Sequence, residues 1–383
     1  MIEKVVFIKI LVLIINLLFV FKIIPNIYLF FEYLKNIIKI KHIELYSKHC
    51  NDQKSINEFR NNNEPKISVI SPVYNREKFI FRFIRSIQLQ NFYDLEMIFI
   101  DDNSSDNSAK LIKKYMIKDK RIKLINIRKN VGTFKSRNIG VLYSKGKYVI
   151  IPDPDDILSN NILNVCYNYA EKYRYDFIRF NTYLGREKLF LSTFAKNHED
   201  RPIYQPELSN YIFYGNNEIE MIDYFITSKF IKKKIYVKAL NLLNFFYYNM
   251  YMTIMEDQIM NFLIHRVAKS FYYINIIGYR YFKTKESINS KKFLVSEIKL
   301  KFIFYYLKFI FEYSKNTKYE KDMVNHLFTN MNKKFNIKRQ LSSLAYNRTD
   351  FSLFENVINL YLNCTFINED NKLILQNLKN IIK

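Results

Sequence analysis

Several aspartates directly follow apolar runs in the sequence and could bind a cation. Asp153 and Asp155 lie in the run PDPDD, after the apolar run KYVII at 147–151, and the pair Asp101 and Asp102 follows LEMIFI at 95–100. Carboxylate oxygens are ligands for Mg²⁺ and Mn²⁺, which bridge to substrate phosphates. An Asp-x-Asp at a strand end therefore predicts that Asp155 and Asp153 hold Mn²⁺ or Mg²⁺, which offsets charge on a departing diphosphate.

Strands and helices alternate in the pattern that surrounds these acids. Apolar runs suited to buried strands occupy residues 67–70, 95–100, 122–127 and 147–151. The segments between them, over 77–90, around 111–115 and over 133–144, are predicted to be helices. This alternation predicts an α/β fold with a mainly parallel sheet, whose ligands bind outside the carboxyl ends of the strands. Both acidic clusters then lie at one edge of the sheet.

Other nucleotide-binding patterns and metal-binding patterns are missing from the sequence. It contains neither G-x-G-x-x-G nor G-x-x-x-x-G-K-[ST], so a dinucleotide-binding site and a P-loop are unsupported. The net charge of +24 favours anionic partners, but no zinc-finger spacing or RNA-binding aromatic signature is present, and no nucleic-acid partner is expected. The three cysteines, Cys50, Cys166 and Cys364, form no C-x-x-C pair, which fits a reducing compartment.

The motifs and their order resemble the opening of the family-2, GT-A fold glycosyltransferases. That family shows a strand, P-x-Y-N, a helix ending in Q-x-x-x-x-x-E, a strand and D-D-x-S-x-D, followed by N-x-G-x-x-x-x-R-N-x-G and G-x-Y-(apolar)-x-D-x-D-D. The match covers about residues 67–160. The matching residues are Pro72, Tyr74, Asn75, Gln90, Glu96, Asp101, Asp102, Ser104, Asp106, Asn130, Gly132, Arg137, Asn138, Gly140, Gly146, Tyr148, Asp153, Asp155 and Asp156.

The resemblance implies a Rossmann-like GT-A domain and a role for each matched residue. Asp102 would hold the base of the nucleotide, Asp155 would bind the metal directly, and Asp153 would contact the ribose or the metal. Asp106 and Asp156 have the alternative role of capping a helix N-terminus. The residues implied to bind the donor are Pro72, Tyr74, Asn75, Asp102, Arg137 and Asp153.

The segment IMEDQIMNFLIHRV at 254–267 resembles the E-D motif of the same family. In inverting members, the Asp of that motif is the general base. An acceptor hydroxyl must lose a proton as it attacks the anomeric carbon, and a carboxylate at the donor site can take that proton. Asp257 is therefore the expected base and Glu256 its orienting neighbour. The alternative is an acid pair that is favourable at a helix N-terminus.

The N-terminal region predicts attachment to a membrane. Residues 5–31 are apolar apart from a few positions such as Lys9 and Lys22, and are long enough to span a bilayer. A buried helix or an interfacial amphipathic helix is the alternative. Lysines follow this stretch at 35, 39, 41 and 48, so the positive-inside tendency places the catalytic domain on the cytosolic side of a single-pass anchor.

The expected organisation has four parts. Residues 1–45 form a membrane anchor with a basic flank, residues 46–65 a linker, and residues 66–292 the GT-A domain. Residues 293–383 form a helical C-terminal region, packed on the domain or resting on the membrane.

The resemblance implies transfer of a single sugar. The donor would be a nucleotide-sugar, of the UDP type that is commonest in the family, and the hydroxyl of a glycan, lipid-linked or protein acceptor would receive the sugar with inversion. The Q-x-x-R-W motif of processive polymerases is missing, and the chain has no Trp. Two alternatives stay open: a catalytically inactive, membrane-bound adaptor that keeps the GT-A fold, and a nucleotidyltransferase.

Overall fold

The computed structural model describes eight stretches of the chain, which belong to one compact unit, Asn62–Lys383. These stretches are residues 64–184, 202–205, 225–243, 250–253, 255–282, 297–313, 352–363 and 369–382. Within them, no helix has both the length and the apolar character that crossing a bilayer requires. The predicted membrane segment at residues 5–31 lies outside the described residues.

The first half of the fold alternates strand and helix, as the sequence predicts. The elements are β1 (Ile67–Val73), α1 (Glu77–Gln88), β2 (Leu95–Asp101), α2 (Ser108–Lys118), β3 (Ile122–Asn126), α3 (Thr133–Tyr143) and β4 (Tyr148–Ile150). Each predicted strand and helix is present, with ends shifted by at most a few residues. The apolar runs and the helical spacing were therefore sufficient to locate these elements.

The second half contains shorter and less regular elements. They are β5 (Ile157–Leu158), α4 (Ile162–Tyr173), β6 (Phe177–Leu184), β7 (Ile203–Tyr204), β8 (Lys229–Lys232), α5 (Lys233–Leu240), α6 (Glu256–Val267) and β9 (Ser270–Tyr281). Helix α6 begins at the predicted E-D motif, so Glu256 and Asp257 lie in its first turn. That position is the one the sequence resemblance implies.

All nine described strands belong to one sheet, and this sheet is mixed. The order is β3-β2-β1-β4-β8-β6-β9-β5, and β7 pairs with β9. Neighbours β1, β2, β3 and β4 pair in parallel, whereas β8 runs antiparallel to both β4 and β6. In the second half β6 and β9 pair in parallel, but β5 and β7 run antiparallel to β9, so the prediction of a mainly parallel sheet is only partly right. The four-residue β8 is too short and too basic to be recognised as a strand from its sequence.

Burial explains why the first elements form where they do. Every residue of β1 and β2 is buried, as expected for central strands that are covered on both faces. In α1, Ile80, Phe83, Ile84 and Ile87 share one buried face, while Phe81 is 62% exposed. Sheet and helices together fix the carboxyl ends of β1, β2 and β4 side by side.

Among the described residues after the sheet are three helices: α7 (Glu297–Tyr313), α8 (Ser352–Leu362) and α9 (Glu369–Ile382). Helix α7 buries Phe309 and Ile310 in the same apolar cluster that contains Phe262 of α6. The rings of Phe262 and Phe309 meet edge to face with centroids 5.7 Å apart. Of the two arrangements considered for this region, α7 adopts the one in which it packs on the domain.

The turn between α3 and β4 approaches β1 closely at Gly146. The Gly146 amide donates to Ser68 Oγ at 2.9 Å, and Ser68 Oγ donates to Glu96 Oε1 at 2.6 Å. Glu96 Oε1 also accepts the amide of Lys145 at 2.6 Å. A Cβ atom at position 146 would lie 2.6 Å from the backbone nitrogen of Ser68, so only glycine fits without moving the backbone.

We expect Gly146→Ala to lower the free energy of unfolding by about 1–3 kcal/mol, because the added methyl group overpacks a site bounded by backbone. Chemical denaturation of the two proteins measures this difference. Lys145→Ala is the matched control, since its side chain is exposed and its amide keeps the bond to Glu96. Equal stability of wild type and Gly146→Ala would contradict the described packing.

Candidate active site

The loops after β1 and β2 are joined by the side chain of Asn75. Its Oδ1 accepts the backbone amide of Ser105 at 2.8 Å, and the backbone amide of Asn75 donates to Ser104 Oγ at 3.0 Å. Asn75 has φ 52°, a left-handed conformation that Asn tolerates better than most residues. The motif Asn thus shapes this edge of the sheet through contacts within the chain.

Asp106 binds the starts of two helices. Its Oδ1 accepts the amide of Ser108 in α2 at 2.9 Å, and its Oδ2 accepts the amide of Glu77 in α1 at 3.0 Å. Both amides belong to the first turn of a helix, where backbone donors lack partners within the helix. The alternative that Asp106 is a capping residue is the one that its contacts support.

Asp102 lies at the end of β2 and fixes the loop before α3. Its two carboxylate oxygens accept the amides of Val131 at 2.7 Å and Gly132 at 2.9 Å. Burial raises the pKa of Asp102 above its usual value of 3.8, although these two hydrogen bonds oppose the shift. Each oxygen has a second lone pair, so the carboxylate can accept a further donor.

Two half-exposed tyrosines flank Asp102. Tyr74, after β1, is 48% exposed, and Tyr251, in the segment 250–253, is 51% exposed. Burial raises the pKa of the Tyr251 hydroxyl, and the nearby Asp102 and Tyr74 contribute to the shift. The segment 250–253 is held against the loop before α3, because the Phe134 amide donates to the Met252 carbonyl at 3.2 Å. Two aromatic rings and an acceptor therefore share this part of the sheet edge.

The acidic loop after β4 is held by Tyr279 of β9. The Tyr279 hydroxyl accepts the amide of Asp153 at 3.1 Å and donates to Asp156 Oδ2 at 2.5 Å. Asp156 Oδ1 accepts the amide of Phe282 at 2.8 Å. Burial, with the neighbouring Asp153 and Asp155, raises the pKa of Asp156 to about 8. Asp156 is thus a structural anchor for the loop and does not cap a helix.

Asp155 belongs to the same loop and contacts one arginine just before the start of α1 and another within it. Its Oδ2 is 3.6 Å from Nε of Arg76, and the guanidinium of Arg82 donates to its backbone carbonyl. The Arg82 guanidinium also stacks over the ring of Phe282, with its carbon 4.2 Å from the ring centroid. Burial and then the adjacent Asp153 raise the pKa of Asp155 above 3.8.

Arg137 of α3 joins three carboxylates from distant parts of the chain. Its Nη2 donates to Asp153 Oδ1 at 2.8 Å, and its Nη1 binds Glu256 Oε1 at 3.3 Å and Asp257. The Arg137 side chain is 5% exposed. Although burial opposes its charged form, the carboxylates of Asp257, Asp153 and Glu256 raise the pKa of Arg137 well above its usual value. The turn at Met255, with φ 68°, begins α6 and directs both acids to this guanidinium.

The electrostatics of this edge favour binding of a cation. One buried guanidinium faces three carboxylates, and Asp155 lies beside them. Burial, followed by the charge of Asp257, raises the pKa of Glu256, and burial likewise raises the pKa of Asp257. Carboxylates that raise one another's pKa values bind protons or cations more readily. The edge is therefore suited to hold a divalent cation and to accept a proton.

Comparison with known proteins identifies the region that contains these loops. Residues 68–238 match the family model described as glycosyl transferase family 2. The chain contains a family-2 glycosyltransferase domain. This confirms the family that the sequence motifs resemble.

Curated relatives of the glycosyltransferase domain match only part of their length. Glycosyltransferase GlyG of Streptococcus pneumoniae serotype 4 is 31% identical over 117 residues, which are 30% of this chain and 39% of that protein. The GalNAc(5)-diNAcBac-PP-undecaprenol beta-1,3-glucosyltransferase of Campylobacter jejuni is 37% identical over 109 residues, or 28% of this chain and 35% of that protein. The chain thus spans less than half the length of these relatives.

Solved structures show the same fold over most of the chain. S. aureus TarS 1–349 in complex with UDP-GlcNAc has a TM-score of 0.57 at 15% identity, and the match covers 83% of this chain and 90% of that chain. The full TarS structure gives a TM-score of 0.58 at 14% identity and covers 82% of this chain and 53% of that chain. At these identities the likeness shows the GT-A fold alone.

The structure gathers most of the predicted site residues of the glycosyltransferase domain at one edge of the sheet. Arg137 binds Asp153, Glu256 and Asp257 directly, and Asp155 lies two residues from Asp153. Both terminal nitrogens of Arg137 point at carboxylates of the chain, so its contact with a donor stays a prediction.

The other predicted donor residues differ in their location and in their contacts. Asp102 and Tyr74 lie at the same edge of the sheet, near Tyr251. Pro72 is buried within β1, opposite Ile100 of β2, and shapes the strand end. Asn75 joins two loops through its side chain, as described above. Donor contact by each of these residues remains a prediction.

Sequence reasoning missed several residues that shape the site. Tyr279 lies in a stretch that matches no motif strongly, and Tyr251 is one of 31 tyrosines in the chain, so neither type nor spacing distinguishes it. Arg76 directly follows the P-x-Y-N motif, and this adjacency was the available signal. Arg82 is half-buried in α1 beside the exposed Phe81, and its contact with Asp155 depends on the tertiary fold.

The fit of a divalent cation rests on two carboxylates. Among the described residues, no three His, Cys, Asp or Glu side chains converge closely enough to hold a metal ion on their own. Asp155 and Asp153 provide oxygen ligands of the type that Mg²⁺ and Mn²⁺ prefer. Burial and then the charge of Asp153 raise the pKa of Asp155, and a cation beside the pair would relieve the part that is due to charge. The residues therefore fit a metal that completes its ligand shell with substrate phosphates and water.

We expect Arg137→Ala to lower the free energy of unfolding by about 3–5 kcal/mol at pH 8, because it leaves the buried Glu256 and the partly buried Asp153 and Asp257 without their cation. The pKa of Glu256 is raised in the folded state, so the folded protein binds more protons than the unfolded chain, and charge repulsion grows with pH. The loss should therefore be smaller at pH 5 than at pH 8. Denaturation at both pH values measures it.

The matched variant is the triple change Arg137→Ala, Glu256→Gln and Asp257→Asn. It removes the guanidinium and two of its acidic partners together, so much of the lost stability should return. A loss that is independent of pH and unchanged in the triple variant would contradict the charge account.

Proposed function

We propose that the chain transfers a single sugar from a UDP-sugar to an acceptor hydroxyl, with inversion at the anomeric carbon. The observation that carries this proposal is the contact of Arg137 with both Asp153 and Asp257, which places the predicted metal site beside the predicted base. The similarly folded TarS holds UDP-GlcNAc, which supports a UDP-sugar donor. The sequence match to a Campylobacter jejuni enzyme named for an undecaprenol-linked substrate supports a lipid-linked acceptor, with a glycan or protein acceptor as the alternatives.

Asp102 and the two tyrosines beside it form the proposed nucleotide site. The nucleobase lies between the rings of Tyr74 and Tyr251, and an N–H of the base donates to a free lone pair of Asp102. Base stacking on an aromatic ring contributes about 1–3 kcal/mol per base. The half-exposure of both rings leaves room for this contact.

Asp155 and Asp153 are the residues that would hold Mn²⁺ or Mg²⁺. When bound, the cation offsets the negative charge that develops on the departing diphosphate. Arg76 and Arg82 hold Asp155 in place, and Tyr279 holds the backbone of Asp153. These contacts fix both carboxylates before the donor arrives.

Asp257 takes the proton from the acceptor. The acceptor oxygen forms a bond to the anomeric carbon as the bond from that carbon to the diphosphate oxygen breaks. The nucleoside diphosphate leaves with the electron pair, and the hydroxyl proton goes to Asp257. Burial raises the pKa of Asp257, which makes it a stronger base than an exposed aspartate. A single displacement of this kind inverts the configuration.

We also propose that residues 1–45 anchor the chain in a membrane by a single pass, with the catalytic domain on the cytosolic side. The support is the sequence: the apolar residues 5–31 and the lysines that follow them.

The first test is turnover of a panel of UDP- and GDP-sugars, with and without Mn²⁺. Wild type and Asp94→Ala should turn over one donor in the presence of metal, and Asp155→Ala should lose that activity. Asp94 is a matched control because it is an acid in a surface ion pair with Lys66, far from the site in the fold. A folded wild type that neither turns over donors nor binds nucleotide with metal would indicate an inactive adaptor. Release of pyrophosphate from a nucleoside triphosphate would indicate a nucleotidyltransferase.

We expect Asp257→Asn to lower kcat by about 100- to 10,000-fold, the usual range for loss of a general base. Affinity for UDP, measured by titration calorimetry with Mn²⁺ present, should stay within about twofold of wild type, because the nucleotide site at Asp102 is intact. A normal kcat would remove Asp257 from the role of base.

We expect Tyr251→Ala to raise KM for the donor by about tenfold, because one stacking partner of the base is lost. Tyr251→Phe should retain donor affinity, since the ring is kept. Tyr143→Ala is the matched control, as an exposed tyrosine at the opposite end of the sheet. An unchanged KM in Tyr251→Ala would place the base elsewhere.

A further inference from the structure

The two ends of the sheet differ in their chemistry. The proposed active site lies at the carboxyl ends of β1, β2 and β4. The opposite surface consists of the segments that lead from a helix into the next parallel strand, each with the last residues of its helix or the connection that follows. We call this surface the amino face and define it as residues 89–94, 117–121, 142–147 and 169–175.

Every connection of the amino face exposes a large apolar or aromatic side chain. Tyr93 is 48% exposed before β2, Ile117 74% before β3, Tyr143 69% before β4 and Tyr173 49% before β6. Single exposed apolar residues are common on protein surfaces, but their recurrence in each connection of one face marks an interaction surface.

The same connections are basic. Lys118 and Lys120 are exposed near the end of α2, Lys145 lies beside Tyr143, and Lys172 lies over the ring of Tyr173 at 4.9 Å. The acids of this surface pair with basic neighbours, in Lys66–Asp94, Arg121–Asp119 and Lys147–Glu171. The remaining lysines therefore give the amino face a positive charge.

A stack of tyrosines extends the amino face. The rings of Tyr175 and Tyr272 are parallel within 7° at 5.2 Å, and Tyr169 and Tyr173 stack on this pair at 5.5 and 5.6 Å. Tyr204, which is 54% exposed, lies next to Tyr175. Tyrosine combines an apolar ring with a polar hydroxyl, and is enriched where hydrocarbon meets water at a bilayer surface.

The chain enters the described structure at the amino face. Glu64, Pro65 and Lys66 lead into the start of β1, and the Lys66 amide donates to the Asp94 carbonyl at 3.0 Å. In the sequence, the apolar residues 5–31 and a basic stretch precede this point. The first described residues, 64–66, thus lie at the amino face, beside Asp94 and the connection that contains Tyr93.

We propose that the amino face lies on an anionic phospholipid surface. The exposed tyrosines and Ile117 enter the headgroup region, and the lysines contact lipid phosphates, an attraction that basic residues near a charged bilayer experience. The carboxyl end of the sheet then points away from the bilayer, so the nucleotide-sugar enters from the aqueous side. This orientation does not depend on which sugar the chain transfers.

The test is lipid quenching of a dye attached at single cysteines of the full chain. Cys50→Ser and Cys364→Ser remove two native thiols, and Cys166 is buried at 1% exposure. The dye is placed at Tyr143→Cys or, as a matched control, at Phe81→Cys, an exposed aromatic position in α1. The vesicles contain phosphatidylcholine, about one-third phosphatidylglycerol and a lipid with a quencher in its headgroup region. We expect loss of most of the fluorescence at position 143 and none at position 81.

Equal quenching at the two positions, stronger quenching at 81, or none at either would overturn the proposal.

A second measurement tests the charge. Lys120→Glu with Lys145→Glu should reduce quenching at 143 by at least half, whereas Lys110→Glu with Lys113→Glu, the same charge change on the exposed side of α2, should not. If single-stranded RNA changes the fluorescence of the dye at position 143 and lipid does not quench it, the face binds nucleic acid. That result would also overturn the proposal.

Discussion

The contact of one buried guanidinium with three carboxylates constrains much of this structure. Arg137 comes from a helix in the first half of the domain, Asp153 from the loop after β4, and Glu256 and Asp257 from the start of α6. A buried arginine is costly unless it is paired, and the buried Glu256 and the partly buried Asp153 and Asp257 are costly without a cation. Each partner thus requires the others, and the two halves of the domain are fixed at the point where the proposed donor site meets the proposed base.

The acids exceed the charge of Arg137, and this excess has a function in our account. A divalent cation at Asp155 and Asp153 would neutralise it when the donor binds. The loop that holds these acids is supported by Tyr279, Arg76 and Arg82, so its shape does not depend on the metal. At the opposite end of the sheet, lysines and tyrosines prevail. The fold therefore separates an acidic end, where we propose that a metal binds, from a basic, aromatic end, and the two proposals concern one end each.

Much of the first half could be predicted from sequence because its signals are local. The strand runs ISVI and LEMIFI and the helical spacing of Ile80, Phe83, Ile84 and Ile87 are readable without tertiary information. The motif residues, however, proved to include structural anchors. Glu96 ties β1 to the turn before β4, and Gln90 donates from Nε2 to the Ser159 carbonyl at 2.9 Å. A motif indicates that a residue is required, but the contacts of that residue in the fold show what the residue does.

The rest depends on contacts that no local pattern encodes. Arg137 and Asp257 are far apart in the sequence, so their pairing follows only from the folded sheet. The antiparallel strand β8 is four residues long, and the prediction of a mainly parallel sheet, which is only partly right, came from extending the regularity of the first half. Tyr251 and the tyrosines of the amino face belong to a chain with 31 tyrosines. Residue type alone therefore does not distinguish the few that we propose contact the nucleotide or the lipid.

The most direct test of the central claim is a crystal structure of the chain with UDP and Mn²⁺, with anomalous scattering recorded for manganese. The account predicts one anomalous peak beside the carboxylate of Asp155, with the diphosphate on the metal and the uracil between Tyr74 and Tyr251. Manganese bound elsewhere, or a nucleotide bound away from Asp102 and Asp155, would contradict it.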